Sequence, residues 1–301
     1  MKALLSGLML LGSASLAYAA PQVFASPEAA VETLVAALDA KDRAQVLAIF
    51  GAENEDVVST GNPDEDREIW GQFLADMHVI HRLEPAGQDR LTLMAGREMW
   101  PFPADLVKDA SGWSFDAEGA REEVLARRIG RNELQVIALL RRVPQIQSHY
   151  RQADRDGDGV LEFAASILSA PGQKDGLYWP AAAGEDPAPF DESLARASFT
   201  GFSDDAGEDR EPEPYEGYYF RILQGQGPAA PGGSYDYMIG GNMVASHALV
   251  AYPAAYGDSG IMSFMVGESG ILYQADLGPE TLDKAAAIER FDPTAEWTPV
   301  D

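Results

Sequence analysis

The sequence predicts an α+β fold, in which helices and antiparallel strands occupy separate stretches of the chain. Apolar residues recur at three- and four-residue spacings over residues 27–50 and 63–81, as they do on one face of a helix. Segments rich in branched and aromatic residues follow at 90–115 and again from Tyr215 onward, which is typical of strands. A long helical stretch at about 120–153 separates the two sets of strands. Helices followed by strands, twice over, favour two α+β units.

The first 19 residues have the three parts of a secretory signal. Lys2 gives a positive start, an apolar stretch runs to Leu16, and Ala17-Tyr18-Ala19 is the small-x-small pattern of a cleavage site. The apolar stretch is shorter than the roughly 20 residues that span a bilayer. We therefore predict a signal peptide over residues 1–19 and a soluble periplasmic or secreted protein with no stable membrane insertion.

Composition excludes several classes of function. The chain has no cysteine, which excludes disulfides, thiolate nucleophiles, thiolate metal sites and a lipid anchor on a mature N-terminal cysteine. Its formal net charge of −26 opposes binding to nucleic acid or anionic lipid, because both select basic surfaces. With 301 residues and 46% hydrophobic content, the chain can bury a sizeable core without such cross-links.

The first unit is predicted over residues 20–119, as helices followed by a short antiparallel sheet. Ser26 and Pro27 form a helix start, since serine caps the helix and proline suits its first position. A second short helix is expected to end at Gly51, and a third covers 63–81. The expected strands are 90–95, 100–107 and 112–115.

The second unit is predicted over residues 120–301, as a long helix packed on an antiparallel sheet. Pro144 should kink the helix, and shorter helices are expected at 162–168 and 279–291, with one turn near Leu194. The apolar stripe of the long helix comprises Val124, Ile129, Leu134, Ile137, Leu140 and Ile146. The expected strands are 215–223, 243–252, 260–266 and 271–274, the last two joined by a hairpin at Gly267-Glu268-Ser269-Gly270.

Five segments together resemble one family, the bacterial domain of unknown function family 2950. They are Arg127-Arg128-Ile129-Gly130-Arg131-Asn132-Glu133-Leu134, Asp156-Gly157-Asp158-Gly159, Asp175-Gly176-Leu177-Tyr178-Trp179-Pro180, Gly217-Tyr218-Tyr219-Phe220-Arg221-Ile222-Leu223 and Tyr256-Gly257-Asp258-Ser259-Gly260. The resemblance runs from about Phe24 to Val300 and implies a secreted or periplasmic protein with no assigned activity. It supplies no catalytic residues.

Two weaker resemblances concern the halves of the chain. The first half is similar to the cone-shaped fold of the nuclear-transport-factor-two and ketosteroid-isomerase superfamily, whose secreted members often open with a Ser-Pro-Glu helix. The second half is similar to pilin headgroups, in which a long helix lies on an antiparallel sheet. Here that helix is internal and rich in arginine, so it does not match the membrane-embedded helix of a pilin.

The strongest local signal for a ligand is an acidic loop at residues 154–162. Asp154, Asp156 and Asp158 stand at positions 1, 3 and 5, the carbonyl of Val160 at position 7, and Glu162 at position 9. Calcium takes six to eight oxygen ligands, and this spacing places oxygens around one point. Position 12 is alanine, so the bidentate glutamate of an EF-hand is missing. The alternative is an acidic turn that ends a helix, with the aspartates accepting backbone N–H bonds.

Three candidate sites for catalysis or metal binding are weaker. Gly257-Asp258-Ser259-Gly260 resembles the nucleophile segment of chymotrypsin-like proteases, but none of the four histidines lies in a matching motif, which favours a tight turn. His78 and His81, with Glu84, could share a metal, although no completing motif accompanies them. Trp70, Phe73, Trp100, Phe102 and Trp113 could line a pocket in the first unit, with Asp105 or His78 as the polar group, or could simply form the core.

Taken together, these patterns favour a non-enzymatic envelope protein over an enzyme. We predict a binding or scaffolding module for an unidentified envelope protein or polymer, with a structural calcium ion at the acidic loop. The alternative is a periplasmic hydrolase or isomerase that uses a pocket in the first unit.

Overall fold

Helices and antiparallel sheets alternate along the chain, which confirms the predicted α+β class. The computed structural model describes residues 20–181, 185–198, 202–203, 209–210 and 212–300. The predicted signal peptide at 1–19 lies outside the described residues. The chain divides into two compact units between Val124 and Leu125. No helix in the described part of the chain is long and apolar enough to cross a membrane.

The three predicted helices of the first unit are present, the third of them two residues shorter than predicted, together with a 3₁₀ turn and a short helix that the sequence did not predict. They are α1 (Pro27–Asp39), α2 (Arg43–Phe50), a 3₁₀ turn (Ala52–Asn54), α3 (Glu55–Val58) and α4 (Pro63–Val79). The Ser26 hydroxyl accepts the N–H of Ala29 at 3.2 Å, so it caps α1 as predicted. Gly51 follows α2 with φ +89°, a conformation that a residue with a Cβ rarely adopts.

The sheet of the first unit has five antiparallel strands. They are β1 (His81–Gly87), β2 (Arg90–Ala95), β3 (Trp100–Pro101), β4 (Leu106–Lys108) and β5 (Trp113–Phe115), in the order β1-β2-β4-β5 with β3 also on β2. The sequence did not predict β1, whose side chains are mostly exposed and give no alternation of buried and exposed positions. Between sheet and helices, the rings of Phe50, Phe73, Phe102 and Phe115 contact one another at centroid distances of 4.9–6.1 Å.

Two helices replace the single kinked helix that the sequence predicted. They are α5 (Ala117–Leu140), which begins in the first unit and continues into the second, and α6 (Val143–Tyr150). Pro144 lies in the first turn of α6, where its missing N–H costs no hydrogen bond, so it marks a new helix start. Leu134, assigned to the apolar stripe, is 68% exposed, and Val136 is buried instead.

The remaining elements all belong to the second unit. In chain order they are β6 (Ser166–Leu168), β7 (Gly176–Tyr178), α7 (Glu192–Arg196), β8 (Phe202–Ser203), β9 (Asp209–Arg210), β10 (Tyr218–Leu223), β11 (Gly225–Gln226), β12 (Tyr235–Asp236), β13 (Met238–Ile239), β14 (Asn242–Met243), β15 (Ala248–Pro253), β16 (Met262–Gly267), β17 (Leu272–Asp276), α8 (Thr281–Ala286) and β18 (Thr298–Pro299).

The main sheet of this unit is the predicted antiparallel meander. Its order is β10-β15-β16-β17-β18, and β16 and β17 are joined by the expected hairpin. All six residues of β15 are buried, as expected for the central part of a sheet that is covered on both faces. Val136 and Leu140 of α5 and Val143 of α6 belong to the same buried cluster as the sheet side chains, such as Phe220.

The predicted helix at 162–168 is wrong. Residues 166–168 form β6, which pairs in parallel with β7 and aligns Ser166 with Gly176 and Leu168 with Tyr178. The apolar run over these residues is too short for its periodicity to separate a strand from a helix.

The C-terminal helix, α8, is shorter than predicted. The Arg221 guanidinium of β10 donates to the carbonyls of Ala285 and Ile288, both at 2.6 Å, and so caps the C-terminal end of the helix.

Candidate metal centre

The acidic loop follows α6 and brings three carboxylates together. One oxygen from each of Asp154, Asp156 and Asp158 lies within 4.8 Å of the others, and all three side chains are exposed. Gly157 and Gly159 have φ of +81° and +89°, which lets the backbone coil tightly between the aspartates. The structure therefore brings together the first three residues of the predicted ligand set.

Backbone N–H groups hold these carboxylates in place. Asp154 accepts from Gly157 at 2.7 Å and from Gly159 at 2.9 Å, and these two bonds lower the pKa of its carboxyl. Asp158 accepts the N–H of Val160 at 2.7 Å. Such bonds are those of the alternative interpretation, a turn that ends a helix. They are also compatible with an ion, because an ionised carboxylate has about four lone-pair sites.

Glu162, predicted as a further ligand, lies outside this group of carboxylates. Its Oε2 accepts the backbone N–H of Met243 at 2.9 Å. Burial raises the pKa of Glu162, and the negative charges of Asp156 and Asp158 raise it further. Asn242 donates its side-chain amide to Asp158, so β14 contacts the loop at two adjacent residues.

A set of side chains that the sequence did not identify supports the loop. The buried amide of Gln147 pairs with both backbone groups of Ala164, at 2.9 Å and 3.0 Å, in the manner of a strand partner. Arg155 donates to the carbonyl of Tyr150 at 3.1 Å, and its guanidinium lies over the rings of Tyr150 and Trp179 at 5.0 and 5.4 Å. The contact of Arg155 with Trp179 links the acidic loop to the segment around Trp179. Both regions contain one of the five family-like segments.

Arg155 therefore does not neutralise the aspartates on either side of it. Among the described residues, no lysine or arginine forms an ion pair with Asp154, Asp156 or Asp158. Three close negative charges without an internal cation suit a hard divalent cation such as calcium. With one oxygen from each carboxylate the triad offers three oxygens, and calcium takes six to eight, so a calcium ion here would need water or further oxygens to complete its coordination.

The Gly257-Asp258-Ser259-Gly260 segment is a structural turn. The Ser259 hydroxyl bonds to the backbone of Ala255, and Asp258 pairs with Arg128 of α5. His247 is buried against the ring of Phe163, and burial lowers its pKa to about 4. Neither Ser259 nor Asp258 is hydrogen-bonded to a histidine base as a catalytic triad requires.

Three of the family-like segments meet at this turn. The side chain of Asn132 donates to the carbonyl of Ser259 at 2.9 Å, and Glu133 accepts the N–H groups of Ile261 and Met262 at 2.9 and 3.0 Å. A Cβ on Gly217 would lie 2.7 Å from the Cβ of Ser259, so only glycine fits there. The segments join α5 to the sheet and have a structural role.

The other predicted site residues are not brought together. His78 lies 3.6 Å from Asp39, the ring of His81 contacts the carbonyl of Met77, and Glu84 pairs with Arg82. Among the described residues, the group that could hold a metal is the aspartate triad.

The predicted aromatic pocket is mostly core. The rings of Phe73 and Phe102 contact each other at a tilt, Trp100 is 66% exposed, and Asp105 accepts hydrogen bonds from Arg90 and Thr92. The aromatic side chains therefore do not converge on one polar group.

Of the two supporting residues that the sequence analysis did not identify, one has a local sequence signal and the other has none. Gln147 stands on the buried side of α6 with Val143 and Tyr150, and a glutamine at an apolar helical position could have been recognised. Asn242 contacts the loop from more than 80 residues away, and no local pattern indicates that contact.

Comparison with known proteins gives one match. A family model described as "Protein of unknown function (DUF2950)" matches residues 21–300. No curated protein and no solved structure matches the chain, so the similarities to cone-shaped and pilin folds remain predictions.

Proposed function

This chain belongs to the DUF2950 family, and since the description of that family assigns no activity, we propose that the protein is an exported envelope protein that binds or scaffolds and is stabilised by calcium at the acidic loop. The observation that carries the calcium part is the convergence of the Asp154, Asp156 and Asp158 carboxylates within 4.8 Å. The ion has a structural role, because it ties together a loop between α6 and β6.

The binding or scaffolding role is supported by how the candidate catalytic side chains are used. Ser259 bonds to local backbone, Asp258 pairs with Arg128, and Asp105 pairs with Arg90. Each of these three side chains is engaged by another group, and none of them is paired with a histidine among the described residues, as a catalytic nucleophile or orienting carboxylate would be. The partner is an envelope protein or polymer without strong negative charge, since a chain of net charge −26 repels nucleic acid and anionic surfaces.

Export rests on the signal-like pattern of residues 1–19. Expression of the full chain in a Gram-negative host tests it by cell fractionation and by the mass of the product. We expect a periplasmic protein that starts at Ala20. A full-length protein retained in the cytoplasm would overturn this part of the proposal and leave the calcium part untouched.

Calcium binding is tested by thermal melting in EDTA and in about 10 mM calcium. A site with a dissociation constant of about 1 mM, as in extracellular calcium modules, adds about 1.4 kcal/mol at that concentration. For a unit of this size the midpoint should rise by about 3–6 °C. Magnesium should raise it less, because magnesium needs near-ideal octahedral geometry.

Matched variants separate site binding from a general charge effect. Asp156→Asn should abolish the calcium-dependent rise, whereas Asp186→Asn, an exposed aspartate outside the loop, should keep it. An equal rise in both variants would mean that calcium only screens the negative surface, and no rise in the parent would leave the loop as a helix-ending turn.

A further inference from the structure

The first unit contains a crevice that the sequence did not predict. It has a volume of about 370 Å³ and lies where the end of α1, the start of α2 and one side of α4 meet. It is lined by Leu38, Asp39, Lys41, Arg43, Pro63, Asp66, Arg67, Trp70, Gly71 and Leu74. Among the predicted pocket aromatics, it shares only Trp70.

The inner part of the crevice is apolar and its aromatic wall is fixed. Leu38 is buried, and Trp70 and Leu74 are partly buried beside it. The indole N–H of Trp70 donates to the carbonyl of Val58 at 3.0 Å, so the polar edge of the ring is satisfied and its orientation is set. The wall is therefore available for an apolar group.

Gly71 lines the crevice without a side chain of its own. It lies in the interior of α4, where glycine costs about 1 kcal/mol relative to alanine. A Cβ built on Gly71 would have no atom within 4 Å, so close packing does not require glycine at this position. A large side chain at this position would occupy the open space beside Trp70.

Three basic and two acidic residues line the crevice. Lys41, Arg43 and Arg67 line it, although the chain has only 22 basic residues against 48 acidic ones. Arg43 pairs with Glu55, and Arg67 pairs with Asp64 at 2.6 Å. Lys41 is exposed and forms no ion pair with any described residue, so its ammonium is open to a ligand.

The acidic side chains of the crevice have other partners. Asp66 is buried and accepts the backbone N–H of Thr60 at 2.6 Å and the hydroxyl of Ser59 at 2.6 Å. Asp39 lies 3.6 Å from His78. Among the described residues, Lys41 is therefore the charged side chain of the lining that has neither an ion pair nor a hydrogen bond.

We propose that this crevice binds a small amphipathic carboxylate, with its apolar part against Leu38, Trp70 and Leu74 and its carboxylate at the ammonium of Lys41. Apolar walls with a few placed polar groups are what ligand pockets of this size usually offer. The proposal is independent of the calcium loop, which belongs to the other unit.

Calorimetric titration with decanoate, below its micelle concentration, tests the proposal on the full mature chain, with decanol as the uncharged probe. We expect decanoate to bind the parent more tightly than decanol. Lys41→Gln should weaken decanoate binding about tenfold and leave decanol unchanged, while Lys284→Gln, in the other unit, should change neither.

Substitutions at Gly71 test the location. Gly71→Leu fills the open space and should abolish binding of both probes, whereas Gly71→Ala should preserve binding and report that α4 tolerates a side chain there. The proposal is overturned if decanoate does not bind the parent at millimolar concentration, or if Gly71→Leu binds it like the parent. Equal loss of decanoate in the Lys41 and Lys284 variants would also overturn it, since that indicates only a general charge effect.

Discussion

Two acidic clusters in this protein are built in opposite ways. In the first unit, Asp105 and Asp116 share the guanidinium of Arg90, at 2.9 and 2.7 Å, and Thr92 adds a hydroxyl at 2.6 Å. In the second unit, three aspartates converge, and their donors among the described residues are backbone N–H groups and the amide of Asn242. In the part of the chain that the structure describes, the first cluster has a cation of its own and the second has none.

The contrast separates a structural cluster from a candidate site. The Asp105 and Asp116 side chains are about one-fifth exposed, and a planar guanidinium bonds to both, so little is left for an external ion. The three loop aspartates are exposed, and Arg155, which lies between two of them in the sequence, is engaged with aromatic rings. Acidic composition alone therefore does not indicate a cation site, whereas the location of the neighbouring guanidinium does.

The largest effect should come from the support beneath the second cluster. Gln147→Leu leaves the buried N–H and carbonyl of Ala164 without the partners that the amide supplies, so we expect a loss of about 2–3 kcal/mol in the free energy of unfolding. Chemical denaturation measures it, and Gln135→Leu, an exposed glutamine on α5, is the control. The calcium response should weaken with it. An unchanged stability would mean that the loop does not depend on this helix.

A smaller effect is expected when the first cluster loses its cation. Arg90→Leu leaves Asp105 and Asp116 close together without a guanidinium, and we expect a loss of about 1–2 kcal/mol, because the pair is only partly buried. Arg82→Leu, which breaks the exposed pair with Glu84, should cost less than about 0.5 kcal/mol. If the two variants lose the same amount, the first cluster is no more than a surface ion pair.

The smallest effect should be a pH dependence of the second cluster without calcium. Because the pKa of Asp154 is lowered from its ordinary value of 3.8, its ionised carboxylate stabilises the folded state at pH values above 3.8. That contribution is lost as the pH falls through the folded-state pKa. Asp154→Asn should therefore flatten the decline in melting midpoint below about pH 4. Glu162 acts with the opposite sign, because its pKa is raised from 4.5, so its protonation on acidification favours the folded state.

Melting curves between pH 3 and pH 7 in EDTA measure both contributions. Glu162→Gln should raise the melting midpoint most at neutral pH relative to the parent. The same steep acid decline in the parent and in Asp154→Asn would show that the backbone bonds to Asp154 do not contribute.

Sequence reasoning succeeded where local chemistry decides the structure. The Ser26 cap, the glycine after α2 and the hairpin between β16 and β17 are fixed by residues within a few positions of each other. The aspartate spacing likewise predicted the convergence of Asp154, Asp156 and Asp158.

Prediction failed where distant partners decide the structure. Residues 166–168 form a strand because β7 pairs with them, and α8 ends early because Arg221 of β10 takes its carbonyls. Glu162 is held by Met243 of β14. The crevice beside Gly71 is formed by three helices, and no single stretch of sequence contains the information for it.

The last strand of the main sheet forms an edge that is poorly suited to pairing with a second copy of the protein. Strand β18 lies at the sheet edge, and the N–H of Val300 points inward to the carbonyl of Leu272 at 2.8 Å. Backbone N–H groups alternate in direction along a strand, so the N–H at position 299 would point outward, and proline has none. A strand from a second molecule that paired with this edge would find no backbone donor at position 299. Pro299 thus protects a long antiparallel sheet against edge-to-edge aggregation at high protein concentration.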